Sequence, residues 1–379
     1  MKNTSSGQTK KKGTGAIGII LAVAVGAISG ICISNFLPDS LSYPQTLLYV
    51  ALLIVGLYIG MLVQIVIHES GHLVFGLLSG YRFVSFRIGS IILCRQNGKY
   101  RIARYSLAGT GGQCLLSPPD LRDGKMPVVL YNLGGVIFNL IFSILFFAIV
   151  TILPTWPSIL PLGCAISGII MALINGIPMR TTTVNNDGSN AFHLRKDPEA
   201  CRALWIQLRI NEKQMMGARL RDMPAEWFDM PDCPNLKNSM VSACLVFRCN
   251  WLMDCGRLAE ADREMKALLE VDSAMAGIYR SLLTLERIYC ALIRGDDPDG
   301  VTDAWEGAEL KQIRRAMKTN PSIIRMQYTY ALLAQGNLAE AEKQRKLFDK
   351  IAEKYPYQGD LQGERELMLL AEKQAKRTE

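Results

Sequence analysis

Long apolar runs joined by short polar links make up the first half of the chain, and amphipathic helical periodicity makes up the second. Four runs are long and apolar enough to cross a bilayer: Ala16–Phe36, Leu47–Ser79, Val128–Ile152 and Ile159–Gly176. At about 1.5 Å per helical residue the second run exceeds the roughly 30 Å of a hydrocarbon core, so it is expected to tilt, bend or protrude. The polar link Gly80–Pro127 alternates on either side of Asn97-Gly98, a dipeptide that favours a tight hairpin, and a Gly-rich stretch, "AGTGGQC", follows. A sheet edge of this kind can hold an extended peptide by strand addition.

Beyond Gly188 the pattern changes. A polar, tryptophan-dotted connector containing "RLRDMPAEWFDMP" leads into a weak internal repetition. Turn glycines stand at Gly256, Gly295 and Gly336, spaced 39 and 41 residues apart, and "LAEA" recurs at Leu258 and Leu338. Helix, glycine, then a second amphipathic helix is similar to the tetratricopeptide pattern, stretched beyond its period of roughly 34 residues. Such helix pairs stack into a groove that binds segments of partner chains; a plain helical bundle is the competing reading. The expected fold is therefore mainly α: a polytopic helical membrane domain of about four spans with a small β-hairpin loop, then a cytoplasmic α-helical repeat domain. The boundaries read as a basic tail at 1–14, a membrane domain at 15–190, a connector at 191–240 and the tetratricopeptide-like domain at 241–379.

Charge sharpens this picture. Residues up to Met179 hold 12 Lys+Arg and 4 Asp+Glu, and the remainder holds 30 of each, so the whole net charge of +8 lies in the apolar half. That distribution argues against a nucleic-acid surface and for membrane topology. The basic residues also alternate between links. The N-terminal tail has four, the link before the second run none, Gly80–Pro127 eight, and the link "TILPTWPS" none. Lys/Arg bias sets orientation, which puts the N-terminus, the Gly80–Pro127 link and everything after Met179 in the cytoplasm. Ten cysteines without paired spacing read as reduced thiols. The basic N-terminus ahead of an apolar stretch, lacking a clean small-residue cleavage site, reads as a retained anchor.

One stretch contradicts its oily surroundings. In "VQIVIHESGHLVFG", His68, Glu69, Ser70 and His72 interrupt an otherwise apolar run. Ionisable groups at membrane depth are expensive and mark function. His68-Glu69-Ser70-Gly71-His72 is an HExxH motif, whose i, i+4 spacing puts both imidazoles on one helix face, able to share one Zn²⁺. Glu69 falls beside them as a general base for a water attacking a peptide bond. Gly71 fits a second role, allowing close helix packing. A catalytic zinc needs a third protein ligand. Asp187, in the Asp187-Gly188 pair after the fourth run, is the best candidate, with a plain Asx turn as the competing reading; His193 and Asp197 are poorer ones.

With these residues assembled, the chain resembles the site-2 protease family, the intramembrane zinc metalloproteases. That family pairs HExxH with an NxxP…DG element on a later span, matched here by Asn175-Gly176-Ile177-Pro178 and Asp187-Gly188. It also carries GPxxN on the intervening span, matched in part by Gly135-Val136-Ile137-Phe138-Asn139. The likeness covers roughly Leu47–Gly188, and the loop after HExxH is similar to the family's membrane-associated β element. Two departures stand out: eight residues rather than the usual four separate Pro178 from Asp187, and Asn186 precedes the aspartate where leucine is common. The resemblance implies that Asn139 and Asn175 hydrogen-bond substrate or line the site; the competing reading is amides that satisfy neighbouring helices.

The sequence therefore leads to an intramembrane zinc metalloendopeptidase of a bacterial plasma membrane. Glu69 is its base; His68, His72 and Asp187 are its ligands; its substrates are membrane-embedded proteins or peptides. The helical repeats would bind a protein partner. The competing expectation is a non-catalytic membrane scaffold working through those repeats. A transporter fits poorly, because the spans lack paired broken helices.

Overall fold

The computed structural model describes residues 23, 26–27, 30–31, 34–37, 40–96, 98–105, 110–179, 185–231 and 233–378. Three helices among them are long and apolar enough to cross a membrane: α1 (Tyr43–Leu78), α2 (Val129–Ile152) and α3 (Ile159–Gly176). The first expected span, Ala16–Phe36, lies largely outside the described residues, as does Asn97 of the hairpin turn.

Helix α1 begins four residues before the apolar run because a polar signal starts it. Gln45 reaches back to accept from the Ser42 backbone N–H at 2.9 Å, the reciprocal half of a capping box, and Pro44 sits in the first turn. Its 36 residues carry the HExxH motif in the last third. Helix α2 follows Pro127, and α3 stops ahead of Pro178, where Ile177 N–H closes the last turn on the Leu173 carbonyl. The helices approach closely at small residues. A Cβ on Gly71 would lie 2.2 Å from the Gly134 carbonyl oxygen, so a glycine between the two histidines is what lets α1 and α2 touch backbone to backbone.

The Gly80–Pro127 link forms more than the single hairpin expected. Four antiparallel strands, β1 (Arg82–Ile88), β2 (Ile91–Gln96), β3 (Lys99–Arg104) and β4 (Gly112–Ser117), lie in the order β3-β2-β1-β4. The Asn97-Gly98 signal is met by the Gln96–Lys99 pairing of β2 with β3. The Gly-rich stretch does not stay a loop: Gly112 opens β4, which pairs with β1.

The chain forms two compact units, Met1–Phe75 with Val129–His193, and Gly76–Val128 with Leu194–Glu379. The first unit ends with α4 (Asp187–Leu194), and the helices of the second begin with α5 (Pro198–Met215), which is capped by Asp197. Three helix–glycine–helix hairpins follow. Gly256 joins α6 (Ser239–Asp254) to α7 (Leu258–Glu270), and Gly295 joins α8 (Gly277–Arg294) to a pair of short helices, α9 (Pro298–Glu306) and α10 (Ala308–Ala316). Gly336 joins α11 (Pro321–Leu333) to α12 (Leu338–Ala352). All three glycines have positive φ, the left-handed turn that ends each first helix at little steric cost. The break at Gly307 splits the second arm of the middle hairpin and lengthens that repeat. The last helix, α13 (Gln358–Thr378), joins the preceding helices through buried ion pairs: Arg325 reaches Glu286 on α8 at 2.5 Å and Glu364 on α13 at 2.6 Å.

At the start of α13, burial pushes the Asp360 carboxyl up to about 7, against the opposing hydrogen bond from Gln214. Its folded value lies above the unfolded one, so the folded chain keeps a proton that the unfolded chain releases. Stability contributed here is full below about pH 4 and is lost as pH rises towards 7. Asp360→Asn removes that loss. It is expected to raise the melting temperature by a few degrees at pH 8 and barely at pH 4.5, by thermal unfolding of the full chain. An equal shift at both pH values would contradict this assignment.

Candidate metal centre

His68 and His72 stand one turn apart near the end of α1, and their rings meet edge to face, with centroids 4.7 Å apart and planes at 87°. The two Nε2 atoms are 3.1 Å apart. Asp187 comes to the same point from the first turn of α4. Its Oδ2 lies 3.1 Å from His68 Nε2 and 3.5 Å from His72 Nε2. One ligand atom from each of the three residues lies within 4.8 Å of the others.

The outer nitrogens settle the chemistry of the inner ones. A carbonyl can only accept, so His72 Nδ1 donates to the Tyr131 carbonyl oxygen, at 2.8 Å. At His68 the partner is Asn139 Oδ1, at 2.7 Å. The amide orientation is fixed by its other end, since Asn139 Nδ2 faces two acceptors, the Gln64 backbone oxygen at 3.0 Å and its side-chain Oε1 at 2.7 Å. Asn139 Oδ1 therefore accepts from His68 Nδ1. Each neutral imidazole keeps its proton outward and turns an Nε2 lone pair inward. Two such lone pairs and a carboxylate oxygen aimed at one point repel one another unless a cation lies between them. The donors are two imidazole nitrogens and one carboxylate oxygen, a set that suits zinc and leaves a coordination position open.

Asp187 is delivered by a polar seam. It follows Asn186, whose side chain makes four hydrogen bonds. Oδ1 accepts from the backbone N–H groups of Met179 and Ser189, each at 3.0 Å. Nδ2 donates to the carbonyls of Ile174 at 2.7 Å and Ile177 at 2.6 Å. One amide thus joins the end of α3 to the start of α4. Gly188 completes the approach, since a Cβ there would lie 2.1 Å from the Gly176 carbonyl oxygen.

Glu69 is half-buried beside His68, and its carboxylate is near enough to act electrostatically on the His72 ring. The other sequence-derived candidates are engaged with partners of their own. Asn139 is fully buried, with its hydrogen bonds directed at His68 and Gln64 and no surface offered to a substrate. Asn175 donates to the Met171 carbonyl on its own helix at 3.1 Å. His193 bonds the Ser189 carbonyl oxygen at 2.8 Å, and Asp197 caps α5 while accepting from Asn238 at 3.0 Å. Three contributors were not anticipated: Gln64, Asn186 and Gly135, where a Cβ would come within 2.5 Å of the His68 ring. Gln64 alone left a sequence signal, a polar residue one turn before His68 within an apolar run.

Comparison with family models matches residues 56–355 to the model described as Peptidase family M50. No curated protein and no solved structure matches the chain.

Gly135→Ala should turn the His68 ring off the shared point. Zinc bound per purified protein is expected to fall at least about tenfold, a loss of the size that misplaced supporting contacts produce. Unchanged zinc content would show that the His68 ring position does not govern binding.

Proposed function

Because the chain belongs to peptidase family M50 and carries apolar helices of membrane-spanning length, we propose that this membrane metalloprotease is an intramembrane zinc endopeptidase in which Glu69 is the general base. The observation that carries this reading is the convergence of two inward-facing imidazole lone pairs and a carboxylate inside helices long enough to span a bilayer. His68, His72 and Asp187 would hold the ion. When bound, zinc would supply Lewis acidity, polarising the scissile carbonyl and easing deprotonation of water.

The remaining chemistry belongs to the chain. Glu69 accepts a proton from water as its oxygen adds to the peptide carbonyl carbon. It then delivers that proton to the amide nitrogen as the C–N bond breaks, leaving an acid and an amine and restoring the carboxylate. Asn139 keeps the His68 ring in place, and Asn186 keeps Asp187 in place. Asn175 and Asn139 do not need to contact substrate in this scheme.

The substrate class follows from the setting. A base and ligand set within apolar helices favours a membrane-embedded or membrane-associated protein or peptide, as in regulated intramembrane proteolysis or the processing of signal peptides or peptide pheromones. The alternation of basic links supports cytoplasmic N- and C-termini in a bacterial plasma membrane. The three helix–glycine–helix hairpins support a tetratricopeptide-like domain that binds a protein partner.

Two outcomes test this reading. Glu69→Gln should keep its zinc while losing cleavage of a membrane-embedded reporter by about a hundredfold or more; near-normal turnover would remove Glu69 from the chemical step. Reporter fusions after Ser40 should appear outside the membrane, and fusions after Gly98 or Glu379 inside. An external C-terminus would overturn the topology.

A further inference from the structure

Gln64 takes no part in the proton transfers described above, yet it is a fully buried amide within the apolar run of α1. Polar groups at that depth are kept where something partners them. A leucine or methionine would fill the same volume without that demand. The neighbouring helix makes room for it: a Cβ on Gly168 of α3 would lie 2.4 Å from Gln64 Nε2.

Its bonds run in one direction. Gln64 Nε2 donates to the Cys164 carbonyl on α3 at 2.9 Å, which orients the amide so that Oε1 faces α2. There Oε1 accepts from Asn139 Nδ2 at 2.7 Å, while the Gln64 backbone oxygen takes the second hydrogen of the same nitrogen at 3.0 Å. With both hydrogens committed, Asn139 can present only Oδ1 to His68 Nδ1, 2.7 Å away. Were the Asn139 amide to turn over, an NH₂ group would face Nδ1 and drive the ring proton to Nε2. That would remove the lone pair a metal needs.

We propose that Gln64 is a positioning residue that fixes the His68 tautomer through Asn139, so that the ligand's lone pair is set by a hydrogen-bond relay crossing all three helices. The inference rests on the metal-centre reading and extends it to a residue outside the HExxH motif. Outer partners of metal-bound histidines typically contribute about 10- to 100-fold to metal affinity. Gln64 acts one step further out, so an effect near the lower end of that range is expected.

The test uses the full chain in detergent micelles, with zinc affinity measured by chelator competition and the visible spectrum recorded for the cobalt-substituted protein. Gln64→Met conserves volume and removes both side-chain bonds. It should weaken zinc about tenfold and alter the cobalt spectrum, while Asn139→Leu should weaken zinc at least as much. Because Gln64 works through Asn139, the double variant should be no weaker than Asn139→Leu alone. Should Gln64→Met fail to fold, Gly168→Ala displaces the same amide and is expected to give the same spectral change. Wild-type affinity and an unchanged spectrum in Gln64→Met would overturn the proposal, as would fully additive losses in the double variant. If the wild-type chain itself takes up no zinc or cobalt, the metal-centre reading fails and this proposal falls with it.

Discussion

A polar group inside an apolar helix must find its partner within the protein, and the membrane unit is organised around that constraint. Two histidines on α1 each turn one nitrogen outward to an acceptor on α2, and the consequence is an inward pair of lone pairs. Asn139, needed to accept from His68, is itself a buried amide with two hydrogens to place, and Gln64 takes both. Gln64 has its own hydrogens to place, and the Cys164 carbonyl on α3 takes one. Each step creates the next demand, and the seam ends on a backbone carbonyl that can accept a further bond.

Such a seam is possible only where helices approach closely. Side-chain amides reach across about 3 Å, so backbones must come nearer than ordinary side chains allow. Glycines at 71, 134, 135 and 168 provide that approach, and at each of them a Cβ would collide with the neighbouring helix or with the seam. Asp187 arrives by a different device. Asn186 ties the start of α4 to the end of α3 with four hydrogen bonds, immediately before Asp187.

The sequence made the parts with local causes legible. The limits of α2 and α3 follow from unbroken apolar runs and flanking prolines, and the Asn-Gly turn announces the pairing of β2 with β3. HExxH could be read because its spacing matches the helical repeat. The parts it hid depend on distant partners. The sequence left Asn139 open between substrate contact and satisfying a neighbouring helix, because nothing local reveals that His68 and Gln64, over seventy residues away, occupy it. Asn186 looked like a departure from the family pattern because its four bonds form only once α3 and α4 meet. Strands β1 and β4 escaped notice because Ile88 pairs with Gly112 across two intervening strands. The start of α1 was misjudged for a simpler reason, since its signal is the polar Ser42–Gln45 pair ahead of the oily run.

These features support one central claim, that His68, His72 and Asp187 hold a zinc ion. X-ray absorption at the zinc edge of the purified full-length protein tests it most directly. The account predicts one zinc per chain with two imidazole nitrogens at about 2.0–2.1 Å, oxygen donors at about 2.0–2.2 Å and no sulfur near 2.3 Å. A spectrum showing thiolate sulfur, or only one imidazole, would contradict it.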